Sequence, residues 1–520
     1  MATSKTRKKA TSSVELASSR AFPEVGHLEL AQANMKIYGE EVNLERSVPD
    51  FRDGLKPVMR RILISLHDMA GIRKSSNVYK TAKVGGHCIG TYHAHGDLSV
   101  MDAVATIVNL AIPPIEGIGN WGTLTDRHAA ARYTNIRFSD FGRTLFHQDY
   151  FPLVPRSNNY DNTRKEPIVL PSLLPNILLQ GISGIGVGIS TSIPAFTLQS
   201  LLKVMIRRLS GERLTPEDYT RSLKFYCEYG GVLSKTKENF QRVKDFFSGT
   251  GGIVKWSSPL ELDEEKKQII ISRFAPRINP VAILDDKVKK LANVKTVYAG
   301  AGLSWVIQVD PRCNMTEYDE VVRKVNALFS SSIKYDIYYT ERLLTDAETG
   351  AYEVKFHHTS VPDLITAWLK WRIRLEHDSI SLRLEKARAR LQLLNLLILA
   401  TDNLRVIFEA IKTQNPAEYI VKNLGITLDQ ANVILDRKVR SLSRMDQSKL
   451  KKERLGLKTH IAGLKTKLED PKAEVIAFFE KVLDSVEQYE KFTGTRQWKL
   501  TFNPLTYNAD PTEESVEEDT

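Results

Sequence analysis

From Pro167 to Leu202 the chain carries no charged residue, and this run limits the fold more than any other feature. By length alone it would nominate a membrane span. Its interior argues against one: Pro171, Pro175 and Pro194, Gly181, Gly184, Gly186 and Gly188, with Asn176 and Gln180, would leave many backbone groups unpaired in lipid. The run reads as buried short strands and tight turns, which need a large chain to cover them. With 520 residues there is length for about three or four domains and for sizeable cores.

Charge points to the class of partner. The formal net charge is +11, and the last twenty residues hold Asp510, Glu513, Glu514, Glu517, Glu518 and Asp519 without a single Lys or Arg, so the rest of the chain stands at +17. A nucleic acid or another anionic surface is the first partner to expect. Cys88, Cys227 and Cys313 are too widely spaced for a CxxC ligand pair and are odd in number, which fits a reduced, cytoplasmic setting. Residues 1–25, with Lys5, Arg7, Lys8 and Lys9 but no apolar stretch behind them, read as a disordered basic arm, either a solvated tail or a weak phosphate tether.

The fold class expected is α+β and multidomain. Residues 26–157 are basic and mostly helical, with helical patches over Val58–Met69 and over Leu98–Ile112, the second stopped by Pro113 and Pro114. Residues 158–355 alternate β-rich runs (252–256, 268–271, 295–298, 305–309) with helices and turns. Residues 356–500 turn to long helices, interrupted by a helical insert at about 392–442, and 501–520 form an acidic tail. In the first long helix Trp368, Trp371, Leu375, Leu382 and Ala389 mark an apolar face, and Leu450, Leu457, Leu464, Ile461 and Leu468 give a cleaner heptad in the second. This periodicity fits a long antiparallel coiled coil with a knob at its tip, and it equally fits an ordinary helical bundle. No GxxxxGK[ST] phosphate loop and no internal repeat occur.

Three features could carry chemistry. Between Arg46 and Tyr92 stand nine basic residues (Arg46, Arg52, Lys56, Arg60, Arg61, Arg73, Lys74, Lys80, Lys83) against Asp50, Asp53 and Asp68, either an electrostatic footprint for phosphates or a solvated helix face. In Tyr92-His93-Ala94-His95-Gly96-Asp97 the two imidazoles lack the further ligands that would complete a zinc site, and they suit hydrogen bonding to a phosphate or a structural role. Ala129-Ala130-Ala131-Arg132-Tyr133-Thr134 sets a phenol beside a guanidinium with room for close approach. That is the minimum for covalent phosphoryl transfer, although any single Arg-Tyr pair is commonly an ordinary one.

Taken together, Arg46 to Arg61, Gly90 to Asp97, Gly119-Asn-Trp-Gly122, Ala129 to Thr134 and Asn176 to Gly188 resemble, in order and spacing, the DNA-cleaving A-type chain of type IIA topoisomerases. The A-type chains of gyrase and topoisomerase IV, and above all the phage medium subunit, are similar over about residues 30–495, more weakly after the first domain, with Ala431 to Leu442 resembling the gate segment before the returning coil. The resemblance implies a winged-helix DNA-cleavage domain at 26–157, an α/β tower domain at 158–355 and a coiled coil with a helical C-gate. It makes Tyr133 the nucleophile that forms a 5′-phosphotyrosine and Arg132 its stabiliser. Arg52, Lys56, Arg60, Arg61, His93 and His95 become phosphate contacts, and Ile185 the residue that wedges between base pairs, for which an uncharged glycine-rich setting is apt.

Several departures are visible. Met59 stands where bacterial members carry a DNA-contacting His, Ala94 replaces a Pro, and Thr91 replaces a Lys. At the drug-pocket positions Leu98 takes the place of the serine that helps hold fluoroquinolones, while Asp102 keeps the acid. The resemblance places Mg2+ (held by a Toprim domain) and ATP on a second, ATPase/Toprim subunit, with no metal site in this chain, and implies a homodimer within a heterotetramer acting on double-stranded DNA. An ending at 520 leaves no room for a DNA-wrapping β-pinwheel, so an ATP-hydrolysing type II topoisomerase that relaxes or decatenates is expected, in the cytoplasm at the nucleoid or in an infected host cell. The alternative from another class is a non-enzymatic, basic, architectural DNA-binding protein.

Overall fold

The computed structural model describes residues 26–70, 77–147, 149–300, 304–346, 348–436 and 447–493. The basic arm 1–25, the acidic tail 501–520, Arg73 and Lys74 of the basic cluster, and the end of the gate segment lie outside the described residues.

The chain opens with helix α1 (His27–Val42), followed by a short π-helical stretch Asn43–Ser47 and α2 (Pro57–Ala70). Pro57 starts α2, where its missing N–H costs nothing. Strand β1 (Tyr79–Lys80) leads into α3 (Thr81–Thr91) and α4 (Asp97–Val108), and β2 (Ile115–Ile118) and β3 (Asn135–Phe138) close an antiparallel sheet ordered β1-β3-β2. Ile62, Leu63, Leu66, Val84, Cys88, Val100, Val104, Ile115 and Ile136 meet in one core beneath these helices.

Two hairpins follow, β4 (Arg156–Asn158) with β5 (Lys165–Pro167) and β6 (Ser183–Ile185) with β7 (Ser190–Ser192), then α5 (Leu198–Leu209). The charge-free run is thus β5's last residue, a buried helical turn Asn176–Leu179, the second hairpin and the start of α5. Leu170, Leu173, Leu174, Ile177 and Leu178 are buried. Beyond it β8 (Val232–Leu233) and β9 (Ile253–Ser257) join a later strand, and β10 (Leu260–Asp263), β11 (Gln268–Ile271), β12 (Val294–Ala299) and β13 (Trp305–Val309) form a four-stranded sheet ordered β10-β11-β13-β12 with Ile269 opposite Ile307. Then come β14 (Ser330–Lys334), on β9, and the long hairpin β15 (Ile337–Leu344) with β16 (Tyr352–Thr359). The β-rich runs foreseen in the sequence all become strands, and the whole is α+β.

Helix α6 (Val361–Asp402) is capped by Ser360, whose hydroxyl accepts the Asp363 N–H and donates to the Asp363 carboxylate at 2.7 Å. It runs unbroken through the expected start of the insert at 392, and the short helices begin only at Leu404. Helix α7 (Gln447–Glu469) returns alongside it and α8 (Pro471–Thr493) continues onto the main core, where Phe479 stacks on Trp368 at 6.3 Å. Arg390 pairs with Glu453 and Trp368 meets Phe479, so the returning segment is antiparallel to α6. The heptad of α7 faces α6 as its spacing predicts. The face of α6 differs: Ile380, Leu384, Ala387, Leu391, Leu394 and Ile398 make the seam, while Ala389 is exposed. Among the described residues no single helix is long and apolar enough to cross a membrane.

Candidate cleavage centre and nucleic-acid interface

Tyr133 sits on the turn before β3. Its N–H donates to the Ala130 carbonyl at 2.9 Å, and its side chain stands 65% exposed with the Arg132 guanidinium 4.7 Å from the ring centre. The turn is locked to the first residues of α3, whose backbone N–H groups have no partner inside the helix. Thr81 N–H donates to Thr134 O at 3.1 Å, Ala82 N–H to Ala131 O at 3.3 Å, and the buried Thr134 hydroxyl donates to Thr81 Oγ1 at 2.9 Å. An exposed phenol is therefore carried on a fixed backbone.

The histidine pair lies at the other end of α3. That helix has eleven residues, about 16 Å of rise, so the turn and the pair are spaced by its length. His93 and His95 stack at 4.1 Å, His93 buried and His95 exposed. Arg61 reaches His93 Nδ1 at 3.2 Å and is itself held by Glu166 (3.0 Å) and Glu45 (3.2 Å). Burial first, then the neighbouring His95 and the Arg61 guanidinium, push His93 down to about 4, so it is neutral at neutral pH. Among the described residues no hydrogen bond or ion pair joins Tyr133 to either histidine.

The wedge candidate stands on the β6–β7 turn. Ile185 is 85% exposed, yet its hairpin is pinned on every side: Ser47 Oγ donates to Ile185 O (2.7 Å), Asn43 Nδ2 to Val187 O (3.0 Å), Val187 N–H to Asn43 Oδ1 (2.9 Å), and Lys56 Nζ to Ser183 O (2.7 Å). A Cβ on Gly184 would run into the Ser47 carbonyl, and one on Gly186 into the Asn43 side chain, so both glycines are needed for the close approach. Lys56 thus belongs to the hairpin's support, and burial lowers its pKa.

Two residues of the basic cluster need correction as open phosphate contacts. Arg52 is buried and spans the Asp50 carboxylate at 2.9 and 2.8 Å while donating to Arg342 O at 2.7 Å. Arg60 is buried on Asp53 at 2.7 and 2.9 Å and on Leu55 O at 3.0 Å. Both guanidinium groups are spent inside the protein, because Asp50 and Asp53 are buried and require cations. The two positions expected to line a drug pocket lie on α4: Leu98 is exposed at its first turn, and Asp102 accepts from Arg127 (2.9 and 3.0 Å) and faces His128 Nε2 at 2.9 Å. Sequence reasoning missed Asn43, Ser47, Glu45 and Glu166; only their neighbourhood to the motifs, not their type, marked them.

The family model for the A-type chain of DNA gyrase/topoisomerase IV matches residues 46–484. The gyrase A protein of Campylobacter fetus is 30% identical over 443 residues, covering 81% of this chain and 49% of that protein. The gyrase A protein of Thermotoga maritima is 27% identical over 434 residues, 80% and 52% of the two chains, and the A-type chain of DNA topoisomerase 4 from Escherichia coli K12 is 26% identical over 449 residues, 82% and 56%. The chain spans about half the length of these relatives.

Proposed function

The chain belongs to the gyrase A/topoisomerase IV A-type family, the A-type chains of type IIA topoisomerases, and from that footing we propose that it is the DNA breakage-reunion subunit of such an enzyme. The observation that carries the reading is the exposed Tyr133 phenol under the Arg132 guanidinium, on a turn fixed to α3. The Tyr133 oxygen attacks a backbone phosphorus, the 3′-oxygen of the neighbouring nucleotide leaves and takes a proton, and a 5′-phosphotyrosyl ester remains. Arg132 neutralises charge that builds on the phosphoryl oxygens. Attack by the same 3′-hydroxyl restores the strand and frees the phenol. Because one ester is exchanged for another, the bond energy is kept and cleavage itself needs no ATP.

The remaining parts of the reading follow from the family. Ile185 enters a base step and bends the duplex, with its hairpin supplying the rigidity. Arg61, His93 and His95 line the strand to be cut. In this proposal the core of residues 26–157 is the winged-helix cleavage domain, 158–355 the tower, and α6 with α7 a coiled coil ending in a C-gate, two copies forming the gates. Among the described residues no three His, Cys, Asp or Glu side chains come together as a metal site, and no step here runs through a metal; Mg2+ and ATP are assigned to an ATPase/Toprim partner. Met59 and Ala94 favour a phage medium subunit over a bacterial one, working in the cytoplasm.

Tyr133→Phe tests the reading. With supercoiled plasmid and a B-type partner, the wild-type chain gives covalent DNA adducts and ATP-dependent relaxation; the variant loses both and binds DNA within about twofold. Adducts that persist in Tyr133→Phe overturn the assignment. A wild type that binds DNA but forms no adduct favours the architectural alternative.

A further inference from the structure

The carbonyls of an α-helix's last turn have no partner inside the helix and must find one elsewhere. In α3 the helix stops at Thr91 without a left-handed glycine, and Tyr92 follows in a non-helical conformation. The carbonyls of Gly90 and Thr91 are instead met by the loop between β4 and β5. Tyr160 Oη donates to Gly90 O at 3.0 Å, and Asn159 Nδ2 donates to Thr91 O at 2.7 Å. Tyr92 alone separates these two residues from the histidine pair.

The loop that reaches them is itself rigid. Asn159 Oδ1 accepts the Arg164 N–H at 3.0 Å and Asn159 N–H donates back to Arg164 O at 2.9 Å. Asn162 holds a left-handed turn (φ 59°), and Asp161 takes both the N–H and the hydroxyl of Thr163, at 3.0 and 2.6 Å. The same hairpin reaches the surroundings of the histidines by two more routes, each through an intervening side chain. Arg164 lies 3.6 Å from Asp68, which accepts from the buried Tyr92 hydroxyl at 2.5 Å. Glu166 on β5 holds the Arg61 that contacts His93. Several chains of contact thus run from a single hairpin to the short segment from Gly90 to His93.

We propose that the β4–β5 hairpin, through Asn159 and Tyr160, is a positioning clamp that fixes the C-terminal end of α3 and so sets His93 and His95 against the strand being cleaved. The inference rests on the assignment of the histidines to that strand. Asn159 and Tyr160 touch neither nucleophile nor phosphate; they act through the backbone. A displacement of about 1 Å in such a group is enough to cost on the order of a hundredfold in rate, and two hydrogen bonds to free carbonyls at the end of a short helix restrain movements of that size.

Two substitutions separate clamping from folding. Asn159→Asp keeps the oxygen that closes the loop on Arg164 and loses the donor to Thr91, while Tyr160→Phe keeps an exposed ring and loses only the hydroxyl to Gly90. The full chain with a B-type partner is given a linear duplex, and single-turnover cleavage is followed over a range of DNA concentrations. The expected result in both variants is a cleavage rate constant at saturating DNA lower by roughly ten- to a hundredfold with the half-saturating DNA concentration unchanged; the thermal midpoint is unchanged in Tyr160→Phe and falls in Asn159→Asp, which sets a buried carboxylate oxygen against the Thr91 carbonyl. In the chain alone, modification of His93 by diethyl pyrocarbonate, read by mass spectrometry, rises in both variants. An unchanged saturating rate, or a loss that appears only in affinity, overturns the clamp. Should Asn159→Asp unfold, Tyr160→Phe decides. A wild type that forms no adduct overturns the cleavage reading and the clamp together, whereas normal cleavage by the variants beside a cleaving wild type overturns the clamp alone.

Discussion

Arg60→Ala distinguishes a phosphate contact from a structural cation. Arg60 makes three hydrogen bonds, two to the Asp53 carboxylate and one to Leu55 O, and both charged groups are buried. Truncation leaves Asp53 a buried carboxylate whose remaining hydrogen bonds, among the described residues, come from the N–H groups of Leu55 (3.0 Å) and Leu170 (2.9 Å), with the charge of Arg52 nearby. Removing one partner of a buried ion pair costs about 3–5 kcal/mol, and the two surviving donors place this case toward the lower end. For a cooperative unit of 150–250 residues that loss corresponds to a thermal shift of about 6–20 °C. The assay is paired: a melting curve, and DNA affinity against salt concentration at a temperature where the variant is folded. A lost phosphate contact lowers the slope of log K against log salt by about 0.9. The structure requires a large drop in midpoint and an unaltered slope. A midpoint within about 1 °C of wild type with a shallower slope refutes the burial argument.

Two more outcomes follow from the site. His93 is held down to about 4 in the folded protein, below its ordinary value of 6.5, so as pH falls the unfolded chain takes up the proton first. The stability it contributes is whole above about pH 6.5 and is lost between there and about pH 4, by at most about 3 kcal/mol; denaturant titrations at both pH values should show that slope shrink in His93→Gln, and an unchanged slope contradicts it. At the two positions expected to line a drug pocket, Leu98 has no hydroxyl and the Asp102 oxygens are already engaged by Arg127 and His128, so a fluoroquinolone titration should stimulate cleavage weakly. Leu98→Ser should raise the response, and a strong response in the wild type removes the argument.

Strand positions, the ends of α2 and the short strands and turns of the charge-free run were legible because they rest on local rules: β-branched runs, a proline at the first helical turn, glycine and proline in a segment without charge; the helical turn at Asn176–Leu179 and the exposure of most of residues 181–190 were not. The cation cluster was legible only as a count. Composition records Arg52 and Arg60 as free positive charges, and only the fold shows Asp50 and Asp53 buried against them. The seam of α6 failed for another reason. Extrapolating Trp368 and Leu375 by heptads arrives at Leu382 and Ala389, but a straight helix drifts about 20° per heptad, and its partner changes along its length from α8 to α7. The buried row accordingly moves to Ile380, Leu384 and Ala387. The hairpin clamp was invisible because Asn159 and Tyr160 act on backbone carbonyls, which carry no sequence signal.

The two side chains proposed to meet DNA, Tyr133 and Ile185, are among the most exposed large apolar side chains of the described residues, 65% and 85% open. Their geometry must therefore be supplied by what lies behind them, and the structure supplies it largely with buried polar groups. Asp50 accepts from Arg52 and from the Arg342 N–H at 3.2 Å, Arg342 donates to Leu44 O at 2.6 Å, and Thr340 N–H donates to Pro49 O at 2.9 Å, tying residues 44–52 to β15. Asn43 and Ser47, at the start of that segment, hold the Ile185 hairpin, and Thr191 within it accepts the Tyr338 N–H of β15 at 3.2 Å. Apolar side chains of equal volume would stabilise such a junction as well or better, but non-directional contacts tolerate sliding, whereas a carboxylate shared between a guanidinium and a backbone N–H accepts one register. The burial of so many charges beside an exposed Ile185 is what a protein needs when it must present a few apolar and phenolic atoms at fixed positions without covering them.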